Sequence, residues 1–244
     1  IKCRVGGLEP AAAVVVGTIR ALKMHGGTPK SRLGEDDPAA VTRGMANLAR
    51  HVENVRKFGV PPIVALNQFA SDSPAEIESF LQAARELGEP VAVTNCHAHG
   101  GEGSLELAEA VTSLVQRGAS KFAPLYPLQM PLAAKVETVA REVYGAEGVD
   151  YTPAAQKELA RLEAIGLGEV PVCMAKTQYS FSDDPTRLGR PSGFRITVRE
   201  VRPSAGAGFV VCETGEIMTM PGLPRRPAAE GMSVSADGTI AGLF

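Results

Sequence analysis

Ala11-Ala-Ala-Val-Val-Val16 is an uninterrupted apolar run that passes directly into Gly17-Thr-Ile-Arg-Ala-Leu-Lys-Met-His-Gly-Gly27. Such a run is typical of a strand that is buried on both faces of a parallel sheet. Ligands in these sheets bind beyond the carboxyl ends of the strands. Arg20, Lys23 and His25 follow this strand end, so residues 17–27 are predicted to be a loop that binds an anionic or polar substrate. The alternative is a solvated loop whose cations are incidental.

The next hundred residues repeat the same order of strand and helix. Asp37-Pro38 predicts the start of a helix, with an aspartate cap and proline in the first turn, and Gly59 predicts its end. Ser73-Pro-Ala-Glu76 is a capping-box pattern that predicts another helix, which ends near Gly88. Around these lie two further predicted strands, residues 62–66 and 91–93, and a helix over residues 104–116.

These repeated units predict an α/β fold with a parallel, doubly wound sheet over residues 1–118. The alternation of strands and helices stops at the proline-rich connector that follows. Residues 119–244 are predicted to form a smaller α+β domain. Its predicted helices cover residues 132–144 and 152–165, and its predicted strands cover residues 170–175, 194–201 and 208–212.

Composition excludes several classes of protein. The 244 residues carry a net charge of −2, without the basic excess that is usual for nucleic-acid binding. No apolar run reaches the ~20 residues that span a bilayer. The four cysteines are far apart and form no CxxC pair, which favours reduced thiols in the cytoplasm. Cys96, His97 and His99 lack a second cluster at metal-ligand spacing, so no metal site is predicted. Since the first residue is Ile1, we expect a further segment upstream.

Several ordered segments carry a family resemblance. The run from Val16 to Gly27 differs from the signature V-A-T-x-R-A-L-K-x-H-G-G only at Gly17. The other segments are Val64-Ala-Leu-Asn-Gln-Phe-Ala-Ser-Asp-Ser73, Gly100-Gly-Glu-Gly-Ser-Leu-Glu-Leu-Ala108, Met174-Ala-Lys-Thr-Gln-Tyr-Ser-Phe-Ser-Asp-Asp184, Ile217-Met-Thr-Met-Pro-Gly-Leu-Pro224 and Gly242-Leu-Phe244. Together they resemble the formate–tetrahydrofolate ligases over nearly the whole chain.

The resemblance implies a P-loop NTPase-like fold and an ATP-dependent ligase that makes 10-formyltetrahydrofolate through formyl phosphate. It further implies ATP with Mg²⁺ and tetrahydrofolate as substrates, a monovalent cation and a homotetramer. The phosphate-binding loop GxxxxGK[ST] of the family does not occur in this sequence. We therefore expect a C-terminal part that is inactive without an N-terminal P-loop portion. The alternative is a non-catalytic folate-binding or assembly module that lacks the ATPase half.

The resemblance also implies roles for individual residues. Phe69 aligns with an aromatic residue on one face of the pterin, and His97 falls at the usual aromatic position on the other face. Asn67 and Asp72 are expected to belong, with Arg20, Lys23 and His25, to a nucleotide or substrate loop. Asn67 is expected to make polar contacts to the nucleotide base. From the residues alone, Phe69 would be a core residue, His97 a surface histidine and Asn67 a turn residue.

Four residues carry no predicted ligand role. Lys176, Asp183 and Asp184 lie in a family-like segment but are expected only to pack between domains. His51 is expected at the solvated surface of its helix.

Overall fold

The structure is a computed structural model that describes residues 1–215 and 225–242. The family-like segment 217–224 and the last two residues lie outside the described part. The helices are α1 Lys2–Gly6, α2 Ile19–His25, α3 Pro38–Lys57, α4 Pro74–Arg85, α5 Cys96–His99, α6 Leu105–Gln116, α7 Leu132–Val139, which continues as a π-helical turn over Ala140–Tyr144, and α8 Pro153–Ala164. The strands are β1 Ala13–Gly17, β2 Pro62–Asn67, β3 Val91–Thr94, β4 Gly148–Tyr151, β5 Val172–Ala175, β6 Arg195–Ser204, β7 Phe209–Thr214, β8 Ser233–Val234 and β9 Ile240–Ala241.

The first sheet has three parallel strands in the order β1-β2-β3, which confirms the α/β class. Val64 and Leu66 point to the face that carries α3 and α4, where they pack against the fully buried Phe80. Ile63 and Ala65 alternate to the other face and are fully buried there, on the side of β2 and β3 against which α6 packs. Side-chain caps fix the starts of both long helices, with Asp37 at α3 and the Ser73–Glu76 capping box at α4. Asp37 Oδ1 accepts a hydrogen bond from Ala40 N at 2.9 Å at the start of α3.

The expectation that the first strand is buried on both faces is wrong within the described chain. The side chains of Val14 and Val16 are 39% and 57% exposed, whereas Val15 packs on the core. β1 is an edge strand that pairs only with β2 among the described residues, and no described helix covers this side of it. An apolar run therefore predicted the strand correctly but not its surroundings.

The loop that was predicted over residues 17–27 is instead the helix α2. Thr18 caps it, because Thr18 Oγ1 accepts a hydrogen bond from Ala21 N at 3.1 Å. The helix packs very closely on α3, since a Cβ at Gly44 would lie 2.0 Å from Leu22 O. The charged residues of the segment suggested a loop, but Thr18 and the apolar residues between the charges make a short amphipathic helix.

The second sheet is mixed, with the order β4-β6-β7-β5. The central pair β6 and β7 is antiparallel, and the two outer pairs are parallel. Helices α7 and α8 bury their apolar faces with this sheet in a second core. The predicted strands 170–175, 194–201 and 208–212 correspond to β5, β6 and β7, whereas the four-residue β4 was missed. The boundary between residues 118 and 119 stays a prediction.

Helix α3 joins the two sheets through polar contacts. Asn47 Nδ2 donates to Gly189 O at 2.8 Å. Arg190 forms a bidentate ion pair with Glu53, with N···O distances of 2.7 and 2.8 Å. The partners in these contacts, Gly189 and Arg190, come from the second half of the chain. Helix α3 therefore lies between the two hydrophobic cores. In the described part, no helix is both long and apolar enough to cross a membrane.

Candidate functional site

The carboxyl ends of β2 and β3 lie side by side. Asn67 and Thr94, the last residues of these strands, are partners in the parallel register. Gln68 N extends the pairing by donating to Thr94 O at 2.8 Å. The loops that carry Phe69 and His97 therefore leave the same edge of the sheet next to one another. Asn67 itself is partly buried.

Phe69 sits on a turn that is closed by Asp72. Asp72 Oδ2 accepts a hydrogen bond from Phe69 N at 2.8 Å, and Phe69 O accepts one from Asp72 N at 3.0 Å. Burial raises the pKa of the Asp72 carboxyl, the hydrogen bond from Phe69 opposes this, and the charge of Glu76 adds to the rise. The Phe69 side chain remains 43% exposed. It is thus an exposed aromatic ring on a fixed turn and not a core residue.

His97 lies on the neighbouring loop, which is fastened at its base. Asn95 N donates to Gly103 O at 3.0 Å, and the hydroxyls of Thr94 and Ser104 are 2.7 Å apart. Gly103 cannot be replaced without a shift, because a Cβ there would lie 2.3 Å from Asn95 Oδ1. His97 itself is exposed on the single turn of α5. The site therefore offers two solvent-facing rings on adjacent, anchored loops.

Lys23 points into the protein. It is only 4% exposed, and its Nζ lies 2.7 Å from Glu76 Oε1. The same ammonium donates to Glu35 O at 2.9 Å. Glu76 also accepts hydrogen bonds from the backbone N–H groups of Asp37 at 3.0 Å and Ser73 at 3.1 Å. Sequence reasoning identified Glu76 only as a capping-box residue, because its partner Lys23 lies far away along the chain.

The three cations of α2 do not meet at one point. Arg20 is exposed, Lys23 pairs with Glu76, and His25 faces the junction with the second half. His25 Nδ1 accepts a hydrogen bond from Gly189 N at 3.1 Å. Burial lowers the pKa of the His25 imidazole. Their shared role as a nucleotide or substrate loop stays a prediction.

The family-like segment 174–184 reaches the same junction. Lys176 Nζ donates to Thr177 O at 2.9 Å and to Ser180 O. Asp183 Oδ2 accepts from Thr197 N at 2.9 Å, and Asp184 Oδ1 accepts from Thr186 N at 2.8 Å. Asp183 therefore ties this segment to β6, and Asp184 bonds only to the turn that follows it. Within residues 1–215 and 225–242, no three His, Cys, Asp or Glu side chains are grouped as metal ligands.

Comparison with known proteins identifies the family. The family model described as formate–tetrahydrofolate ligase matches residues 1–244. This chain belongs to that family. It is similar to the formate–tetrahydrofolate ligases of Allorhizobium ampelinum and Maricaulis maris, with 55% identity to each over 244 residues. Each match covers 100% of this chain and 44% of the relative. The chain thus spans less than half the length of these two ligases.

Proposed function

We propose that this chain is the folate-binding part of an ATP-dependent ligase that joins formate to tetrahydrofolate. In this reaction a formate oxygen attacks the γ-phosphorus of ATP and releases ADP. N10 of tetrahydrofolate then attacks the formyl carbon of formyl phosphate, phosphate leaves with the bonding electrons, and N10 loses its proton to give 10-formyltetrahydrofolate. Family membership supports the reaction class. One observation supports the folate side, namely that Phe69 and His97 stand on adjacent loops at the paired ends of β2 and β3.

A pterin is flat and aromatic, so it suits a site between two rings with polar groups at its edge. Phe69 is exposed and its turn is held by Asp72, which reduces the cost of ordering the ring on binding. Asn67, at the end of β2, is assigned to polar contacts with the nucleotide base. His97 supplies a smaller ring on the neighbouring loop.

The remaining steps need residues that this chain does not contain. The phosphate-binding loop GxxxxGK[ST] is absent from the sequence, so the phosphates of ATP and their Mg²⁺ are assigned to a separate N-terminal P-loop portion. The free edge of β1, with exposed Val14 and Val16, is the place where further strands of a P-loop NTPase-like sheet would add. A homotetramer, a monovalent cation, a cytoplasmic location and a domain boundary near residue 118 belong to the same proposal.

Tetrahydrofolate binding to the purified chain tests the folate side. Phe69→Ala should weaken binding about tenfold or more, because stacking on the ring is lost, whereas Phe69→Tyr should retain it. His97→Ala should also weaken binding, and His99→Ala is its matched control because it alters an exposed histidine of the same helical turn. Equal affinity of Phe69→Ala and the unaltered chain in a calorimetric titration would refute the stacking site.

Activity decides between the ligase part and the alternative of a non-catalytic folate-binding or assembly module. The alternative is favoured by the missing phosphate-binding loop. We expect no formation of 10-formyltetrahydrofolate by the chain alone, and formate- and ATP-dependent formation once a P-loop-bearing N-terminal portion is added. Folate binding without activity in that mixture would leave the non-catalytic module as the better explanation.

A further inference from the structure

The Glu76 carboxylate is fully buried at the start of α4. A buried charge without partners is costly, because burial removes its hydration. The two oxygens of Glu76 are instead shared between separate segments of the chain. Oε1 accepts a hydrogen bond from Asp37 N at 3.0 Å and lies 2.7 Å from Lys23 Nζ, whereas Oε2 accepts one from Ser73 N at 3.1 Å. The carboxylate therefore bridges the starts of α3 and α4.

The bond to Ser73 N lies beside the turn that carries Phe69. Phe69 N donates to Asp72 Oδ2 at 2.8 Å, and Asp72 N donates to Phe69 O at 3.0 Å. Ser73 follows this turn directly and is attached to the core by Glu76. At the other end of the turn, Gln68 N still pairs with β3. The Phe69 turn is therefore fixed at both ends, although its aromatic side chain is 43% exposed.

This bridge needs both oxygens of an ionised carboxylate. A glutamine in place of Glu76 has one oxygen and one NH₂ group, and the NH₂ group cannot accept a hydrogen bond from a backbone N–H. Either Asp37 N or Ser73 N would then lose its acceptor. Lys23 has a different part in the arrangement. Its ammonium is a donor, so it compensates the charge of Glu76 but bonds to neither of these backbone N–H groups.

We propose that Glu76 is a positioning residue for folate binding, which fixes Ser73 relative to α3 and thereby holds the Phe69 ring in the orientation that stacking on the pterin requires. This inference rests on the proposed folate site, since Glu76 is fully buried and acts only through Phe69. A ring that is held in place before binding loses less conformational freedom when the ligand arrives. Loss of the bridge should therefore weaken tetrahydrofolate binding even where the chain stays folded.

Calorimetric titration of two variants with tetrahydrofolate tests this role. Glu76→Gln should weaken binding about fivefold, the effect of one net hydrogen bond. Lys23→Met breaks the same ion pair but leaves both backbone bonds to Glu76, so it should weaken binding clearly less. Both variants lose stability, so they are titrated at pH 8 in trimethylamine N-oxide, which favours the folded state, and circular dichroism verifies that they are folded.

Lys135→Met controls for a general loss of stability. Lys135 is fully buried on α7, where its Nζ donates to Gly168 O at 2.6 Å and to Val170 O at 2.9 Å. Its replacement should lower stability but leave tetrahydrofolate affinity unchanged, because α7 belongs to the second core. Unchanged affinity in folded Glu76→Gln would overturn the proposal. So would an equal loss of affinity in Glu76→Gln and in either lysine variant.

A double variant separates the positioning role of Glu76 from the stacking site itself. Because Glu76 acts through Phe69, adding Glu76→Gln to Phe69→Ala should cause little further loss of affinity. Additive losses in the double variant would mean that Glu76 acts elsewhere, and the positioning role would be refuted. A loss in Phe69→Ala with none in Glu76→Gln would refute the positioning role alone. Unchanged affinity in Phe69→Ala would instead remove the stacking site on which the inference rests.

Discussion

At the scale of single residues, the pair Lys23 and Glu76 is the most consequential contact in the first core. Both side chains are nearly excluded from water, with exposed fractions of 5% and 0%. Removing one partner of a buried ion pair leaves the other charge uncompensated, at a cost of about 3–5 kcal/mol. We therefore expect Glu76→Gln to lower the free energy of unfolding by about that amount in urea titrations.

Glu78→Gln on the same helix is the control, since Glu78 is 68% exposed and should change stability by less than about 0.5 kcal/mol.

The contribution of Glu76 to the free energy of unfolding depends on pH in one direction. Burial raises the pKa of Glu76, but hydrogen bonds from Lys23, Asp37 and Ser73 and the charge of Lys23 outweigh it, so the net pKa is lowered. The stabilisation is present above the ordinary value of 4.5 and is lost as the pH falls through the folded-state pKa. If the unfolding free energy of Glu76→Gln fell below pH 4.5 as steeply as that of the unaltered chain, this expectation would be contradicted.

At the scale of elements, short-range capping explains why helix boundaries were predictable. Thr152 begins α8, where its Oγ1 accepts from Ala155 N at 3.2 Å and donates to Arg199 O at 2.7 Å. Thr152→Ala should cost about 1–2 kcal/mol, because the cap and the bond to β6 are lost together. Thr112→Ala is the matched control, because the Thr112 hydroxyl donates a hydrogen bond only to Ala108 O within α6. Equal melting temperatures for the two variants would exclude a capping role.

At the scale of the whole molecule, we expect the open side of β1 to promote association in solution. Unpaired strand edges with apolar side chains favour association. We expect the isolated chain to be poorly stable and to self-associate, and Val16→Lys to reduce association in sedimentation velocity runs. Val115→Lys, at an exposed valine of α6, should have little effect. A cooperative, high-temperature melt of a monomeric chain would refute the expected instability.

The junction between the two cores should weaken in mild acid. Burial lowers the pKa values of His25 and His51 below their ordinary value of 6.5. The unfolded chain therefore takes up protons first, and stability falls as the pH drops from about 6.5 through the folded-state pKa values. Unfolding free energies at pH 7.5, 6.5 and 5.5 test this. His25→Gln and His51→Gln should flatten the dependence of unfolding free energy on pH.

Local sequence patterns predicted the helix starts and strands that depend on a few neighbouring residues. Asp37-Pro38 and the Ser73–Glu76 box placed the starts of α3 and α4, because caps form between residues three apart. The apolar runs placed β2 and β3 in the same way. The ordered motifs also identified the family, since they depend on residue identity alone.

Tertiary structure alone determined what surrounds these elements. Lys23 looked like a ligand residue until its burial against Glu76, 53 positions further on, was visible. A cavity between α3 and residues 176–181 joins residues more than a hundred positions apart, and the exposed side of β1 depends on which strands are neighbours. A sequence window records what lies nearby along the chain. Burial, charge pairing and empty space arise only when distant segments pack.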